Sequence, residues 1–111
     1  MAKRAAPRTT QYLYLTTTGR RSGQPRQIEI WFTRHGSRYY VIAEHRDRAQ
    51  WVRNLKIAPS VGVRVGRRSF AAQARVVDAK REHELARAVK KLSEEKYGWG
   101  NGLVVELDPG R

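Results

Sequence analysis

The sequence predicts an α+β fold dominated by β-structure, with about six antiparallel strands curled into a barrel and two helices at its margins. Three observations predict it. Side chains alternate with a period of two in about six stretches, most links between those stretches are short turns, and only two stretches carry the 3.6-residue period of a helix. Helices do not alternate with strands, which disfavours a parallel α/β sheet. At 111 residues the chain has the size of one domain, expected here as a basic, mobile arm over 1–10 and a barrel over 11–111.

The arm, MAKRAAPRTT, carries basic residues and a proline and little that could pack. From Gln11 to Thr18 the pattern is that of a strand, with Tyr12, Tyr14 and Thr16 on one face and Leu13, Leu15 and Thr17 on the other. GRRSGQPR, Gly19 to Arg26, cannot continue it and reads as a loop. A second strand is expected over Gln27–Thr33, with Ile28, Ile30 and Phe32 opposite Glu29 and Trp31, and His35-Gly36 reads as a hairpin turn into a third strand, Arg38–Ala43. Asp47 and Gln50 have the spacing of a capping box ahead of a short helix that carries Trp51, Leu55 and Ala58 and stops at Pro59. Val61–Val65 and Ser69–Val77 flank the turn Gly66-Arg67-Arg68 as another hairpin. Asp78 is the expected N-cap of a longer helix, about Ala79 to Lys96, with Leu85, Val89 and Leu92 as its buried stripe and Gly98 as its stop, and Leu103–Leu107 forms a last strand.

Composition excludes several classes of function. Without cysteine there is no disulfide framework and no thiolate metal site, and His35, His45 and His83 lack the spacing of a metal cluster. No apolar run reaches the length of a membrane span, and Met1 to Thr10 lacks the apolar stretch of a secretory signal, so the cytoplasm is expected. The extreme feature is charge: 23 Lys+Arg against 10 Asp+Glu leave a formal +13. Such a field draws in polyanions, whether nucleic acid, anionic membrane or phosphorylated small molecules, and does not choose among them. The excess arginine is spread along the chain, which also fits a solvated surface. Nucleic acid is disfavoured because the aromatic residues do not cluster with the arginines in a recognition module.

The most informative segment is Thr16 to Arg26. It places Arg20, Arg21 and Arg26 in one turn beside the hydroxyls of Thr16, Thr17, Thr18 and Ser22, with the amides of Gly19 and Gly23 expected to be free. Guanidinium forks match phosphate and carboxylate oxygens, and glycines let backbone N–H groups close on the same anion. A phosphate cradle and an exposed basic turn that binds nothing are both open on this pattern, which matches neither a P-loop nor GxGxxG. Trp51 and Asn54, three apart on a helix, could face one ligand, or Trp51 could anchor the helix in the core. Trp31 and Glu29 share a strand face that borders either a cleft or plain surface. Tyr97 and Trp99, in KYGWGNG, read as a ligand lid or as a plug of the barrel end. There is no Ser-His-Asp order and no carboxylate pair, and His45 beside Glu44 is no more than a pair on a loop, so any hard chemistry has to come from a cofactor.

Taken in order, YLTTTGRRSGQPR at Tyr14–Arg26, RYYVIA at Arg38–Ala43 and WVRNLKIAPSVGVRVG at Trp51–Gly66 resemble the deazaflavin-dependent nitroreductase family, from about Leu13 to Leu107. The resemblance implies a split β-barrel of the FMN-binding type, related to pyridoxamine-phosphate oxidases, and the coenzyme F420, an 8-hydroxy-5-deazaflavin, with FMN as the alternative. It also implies an oxidoreductase that passes hydride to a small electrophile such as a quinone, enone or nitro compound, and a homodimer as one assembly. A non-catalytic barrel that binds a cofactor, a polyanion or nucleic acid is the competing reading. Carried over by position, Arg20, Arg21 and Arg26 would meet the phosphate and polyglutamate tail, with Ser22, Gly23, Gln24 and Pro25 shaping the loop. Trp51, Asn54, Trp31, Ala43 and Glu44 would stand near the ring. The sequence departs from the family at Glu29, where many relatives have proline, at Glu44-His45 in place of Ser-Lys, and at Arg46-Asp47-Arg48, where a glycine-rich stretch is shortened. Lys96 to Gly102 replaces a tyrosine-rich C-terminal segment. A carboxylate at Glu44 could repel an anionic cofactor or hydrogen-bond a flavin ring.

Overall fold

Seven strands form one antiparallel sheet among the described residues, 11–110, of the computed structural model. In chain order these are β1 (Tyr12–Thr18), β2 (Pro25–Trp31), β3 (Thr33–His35), β4 (Arg38–Ala43), β5 (Ser60–Val65), β6 (Arg68–Val76) and β7 (Leu103–Asp108). Helix α1 (Gln50–Ile57) lies between β4 and β5, and α2 (His83–Tyr97) between β6 and β7. The arm expected over 1–10 lies outside the described residues. Across the sheet the order is β2-β1-β5-β6-β7-β4-β3, so the two edge strands are consecutive in the chain.

The sequence expectation of one strand over Gln27–Thr33 is corrected by this order. Alternation does place Ile28, Ile30 and Phe32 inward, but Phe32 is a corner and not a strand residue. On one side of it β2 pairs with β1, Trp31 opposite Tyr12; on the other β3 pairs with β4, Thr33 opposite Tyr40. Side-chain period cannot report a corner, because the alternation continues through it.

The curled sheet buries one apolar set inside. Leu13 and Leu15 of β1, Val61 and Val63 of β5, Val105 and Leu107 of β7 and Leu55 of α1 meet there. A second set covers the outer face of β4 and β7, where Tyr40, Ile42 and Val104 pack against Ala86 and Val89 of α2. Two cap expectations are also corrected. Asp47 lies in a short 3-10 turn, Arg46–Arg48, and α1 begins later behind Ala49, with no side-chain cap. Arg46 enters that turn at φ 55, which moves the helix start past Asp47. Asp78 caps a separate turn, its Oδ1 accepting from the Lys80 amide at 3.0 Å, and α2 starts only after Glu82. Gly98 does end α2, at φ 76, its amide donating to Glu94 at 2.8 Å.

A polar knot sits under α2. Glu106 is 3% exposed and accepts from Tyr40 Oη at 2.8 Å and from Arg75 Nε at 2.9 Å. Arg75 also bridges Glu82 at 2.7 Å, and Arg38 stands 3.6 Å from Glu106. A carboxylate this deep is tolerable only when such donors surround it.

The corner is closed from α2. The Tyr97 hydroxyl accepts from the Phe32 amide at 3.0 Å and donates to the Phe32 carbonyl at 2.8 Å, with the Gln11 carbonyl as a second acceptor. Lys96 Nζ donates to the same Phe32 carbonyl at 2.9 Å. Tyr97→Phe leaves the Phe32 amide unpaired and is expected to cost about 1–3 kcal/mol in urea unfolding. The Tyr40 hydroxyl is pushed up to about 12 by its burial and then by Glu106. A tyrosine raised in the folded state contributes stability that is complete below its ordinary value near 10 and lost as pH climbs toward 12. The stability gap between wild type and Tyr40→Phe is therefore expected to narrow from pH 9 to pH 11.5 in unfolding curves; a constant gap would contradict this.

Candidate functional site

Because β3 is only three residues long, it covers β4 as far as Tyr40 and leaves the end of β4 facing β2 across a gap. A cleft of about 600 Å³ fills that gap. One wall is Glu29, Ile30 and Trp31 of β2; the other is Ile42 and Ala43 of β4 with Glu44 and His45 after it. Ala49 and Trp51, at the start of α1, close one side, and Trp99 and Tyr12 stand at the others. Of the readings left open for Trp31 and Glu29, the structure shows the cleft. Gly102 packs closely on the Ile42 and Ala43 stretch of β4, where a Cβ would come within 2.4 Å of the Ala43 carbonyl oxygen and 2.7 Å of Ile42 Cγ2.

A second cleft, of about 360 Å³, lies beside the loop between β1 and β2. Arg20, Arg21, Ser22 and Arg26 line it with Ile28, Gln50, Asn54 and Trp51. Trp51 thus borders both clefts, and it also packs on the barrel core, so both readings of this residue hold at once. Gly23, Gln24 and Pro25 lie outside both clefts and make the turn itself, with Gly23 at φ 74.

The loop holds its shape through its own backbone. The Gly19 amide donates to the Gln24 carbonyl and the Gly23 amide to the Gly19 carbonyl, each at 2.8 Å. The expectation of free amides at Gly19 and Gly23 is therefore wrong: both close the turn. Ser22 Oγ accepts from the Gln24 amide at 3.1 Å and from Arg26 Nη2 at 3.4 Å. Gly19 sits in close quarters, where a Cβ would meet Ser22 Oγ at 2.8 Å and the Gln24 carbonyl oxygen at 3.2 Å.

Asn54 fastens this loop to α1. It is 4% exposed, and its Oδ1 accepts from Arg20 twice, from the amide at 3.2 Å and from Nη1 at 2.9 Å. Its Nδ2 donates to the buried Thr17 hydroxyl at 3.2 Å. Asn54 holds Arg20 in place, while Arg21 stands exposed at the tip of the loop.

Of the aromatic residues Tyr97 and Trp99, Trp99 is among those lining the larger cleft and Tyr97 stands behind its Trp31 wall. Tyr97 lies flat behind Trp31, ring centres 4.4 Å apart and planes within 3°, and Trp99 meets Trp31 edge-on at 6.4 Å. Lys96 Nζ sits 4.0 Å from the centre of the Phe32 ring. Burial holds the Lys96 ammonium below its ordinary range and pushes the Tyr97 hydroxyl up. The sequence reading missed the contributions of Tyr12, Ala49, Gln50 and Ile42, which become neighbours only through the sheet order. It missed the clamp of Lys96 and Tyr97 on Phe32 for the same reason.

Among the described residues no group of acidic and histidine side chains could hold a metal ion. No helix there is long and apolar enough to cross a membrane. Residues 4–101 match the family model described as F420H(2)-dependent quinone reductase. The chain belongs to that family. Over 68 residues this family member is 34% identical to an F420H(2)-dependent quinone reductase of Mycobacterium tuberculosis, a match covering 59% of this chain and 46% of that protein. It thus spans about half the length of the curated relatives it matches. Among solved structures it superposes on HutZ, the heme storage protein of Vibrio cholerae, with a TM-score of 0.75 at 21% identity, over 98% of this chain and 92% of that one. An F420-H2 dependent reductase, FDR-A, matches with a TM-score of 0.64 at 23% identity, over 88% and 93%. These likenesses establish the split-barrel fold that the resemblance implied.

Replacing Asn54 by Ala strands the Thr17 hydroxyl and releases Arg20. The expected result is a loss of about 1–3 kcal/mol in urea unfolding, with faster amide exchange in the loop between β1 and β2. Unaltered exchange there would show that the loop does not depend on Asn54.

Proposed function

We propose that the chain is an oxidoreductase that binds coenzyme F420 along the two joined clefts and reduces a small electrophile, a quinone foremost. The observation that carries this reading is the pair of clefts sharing Trp51, one lined by guanidinium groups and the other by aromatic and apolar side chains. A coenzyme with a flat ring and an anionic tail has that division in one molecule, and cleft volumes of this size suit such ligands. The donor set agrees, since Arg20, Arg21 and Arg26 can form charge-assisted bonds to phosphate and carboxylate oxygens. The loop of Ser22, Gly23, Gln24 and Pro25 fixes where those arginines start.

When bound and reduced, the coenzyme supplies hydride. The protein's part is binding, orientation and control of water. Trp51, which borders both clefts, would stand between the ring and the tail. Ala43, without bulk, leaves its wall of the cleft open to a planar ring. Trp31 makes the far wall. Glu44 and Glu29 bring negative charge to the ring end, which disfavours entry of the tail there and sets the direction of binding. Reduction of a quinone to the hydroquinone takes one hydride and one proton, and the cleft has Glu29, Glu44 and His45 on its walls beside open access to water. Two further parts of the reading rest on the resemblance alone: a homodimer as working unit, which sizing of the purified chain tests, and the cytoplasm as place of action.

The reading is tested by titrating the protein with F420 and, separately, FMN, following the fluorescence of each ring at low and moderate salt. Saturable micromolar binding of F420 is expected. Arg20→Gln combined with Arg21→Gln is expected to weaken it on the order of 100-fold, the effect of removing two charge-assisted contacts. Unchanged affinity would sink the role given to the loop, and binding of FMN alone would reassign the cofactor. No binding of either, with a steep salt dependence of DNA binding, would favour the polyanion-binding barrel instead.

A further inference from the structure

We propose that the small cavity between the corner and α2 is the site of one structural water, held by the Thr33 hydroxyl on the sheet side and the Ser93 hydroxyl on the helix side. The inference goes beyond the function proposed above and does not depend on it.

Thr33 opens β3 and is only 5% exposed. Its Oγ1 is enclosed and has no hydrogen-bond partner among the described residues. A buried hydroxyl in that state carries the full penalty of its lost hydration, so folded proteins almost always give such an atom a partner, from the chain or from water. Beside it lies a cavity of about 10 Å³, lined by Thr33, Tyr40 and Ser93 together with Trp31, Ile42 and Trp99. That is about the room one water needs, and too little for a larger ligand. Cavities that stay dry are apolar throughout, whereas three of these side chains carry a hydroxyl.

The bonding capacity on the two sides is complementary through a water. Ser93 is buried, and its hydroxyl donates to the Trp99 carbonyl, so its hydrogen is spent while a lone pair stays open. No bond joins it directly to the Thr33 hydroxyl. A water between the two accepts from Thr33 Oγ1 and donates to Ser93 Oγ, which gives it two of the two to four partners that buried waters make.

The helix explains why the bridge is needed at this point. Ser93 and Tyr97 are four residues apart on α2 and therefore share one face. Tyr97 is long enough to reach the Phe32 backbone directly. Ser93, one turn earlier, meets the next residue of the corner with a far shorter side chain, and the difference in length is the cavity. The water extends the clamp on the corner by one turn of the helix. Trp31, Ile42 and Trp99 line both this cavity and the larger cleft, so the bridge stands directly behind a wall of the site.

The test is a high-resolution crystal structure and a thermal unfolding curve for the wild-type chain and for Thr33→Val, which keeps the shape of the side chain and removes its hydroxyl. Wild type is expected to show solvent density within hydrogen-bond distance of both Thr33 Oγ1 and Ser93 Oγ. Thr33→Val is expected to lose that density and to unfold about 4 °C lower. The sign of the shift discriminates, because deleting a hydroxyl that has no partner removes a penalty and raises Tm. An unchanged or higher Tm in Thr33→Val overturns the site. So does a wild-type structure without density at that point, or one in which Thr33 Oγ1 bonds directly to another protein atom.

Discussion

The fold and the site depend on the clamp that Tyr97 and Lys96 place on Phe32. A curled sheet of seven strands has two open edges, and here the chain steps from one edge to the other through a single residue. That residue leaves one strand ladder and has not joined the next, so its N–H and C=O need partners from elsewhere. The Tyr97 hydroxyl and the Lys96 ammonium provide them from the end of α2. Fixing the corner fixes the angle between β2 and the end of β4, and the cleft lies between those two. The same tyrosine ring then lies against Trp31, so one side chain joins the barrel's closure to the wall of the site.

The basic loop is built on a different principle. Its backbone closes on itself through Gly19, Gly23 and Gln24. What it needs from the rest of the molecule is direction, and Asn54 gives it by holding both the amide and the guanidinium of Arg20. This explains why a buried asparagine sits on a short helix whose other inward residues are Val52 and Leu55. The apolar cleft gets its shape from strand register, and the charged one from a side-chain bond that crosses 34 positions of sequence.

Most strands and both helices were legible because each rule used is local. Alternation from Leu13 to Thr17, the glycine stops at Gly36 and Gly98, and the arginine-rich turn depend on neighbours a few positions away. What failed is what depends on distant partners. Phe32 keeps the alternation of Gln27–Thr33, so the corner is silent in sequence, and only the pairing of Thr33 with Tyr40 shows that the chain has changed edges. Asp47 and Asp78 have the chemistry of caps, yet each serves a small turn ahead of its helix. The burial of Glu106 follows from Tyr40 and Arg75, on the strands to either side, and nothing in the run Leu103–Leu107 announces it. The charged loop and Trp51 could be chosen in advance. The meeting of two clefts at Trp51 could not, since their walls come from stretches of the chain scattered between Tyr12 and Trp99.

The three-residue length of β3 works as a dial on the width of the barrel's opening. The hairpin register continues by simple counting: one more paired residue would set Phe32 against Val41, and a second would set Trp31 against Ile42. Each added pair would zip the free edge of β4 shut and draw the indole out of the opening into the sheet. Insertions or deletions around this corner would therefore change the width of the opening and would also reseat Phe32 in the core. A lineage could retune its repertoire by moving a bend along the chain, without inventing a single new side chain.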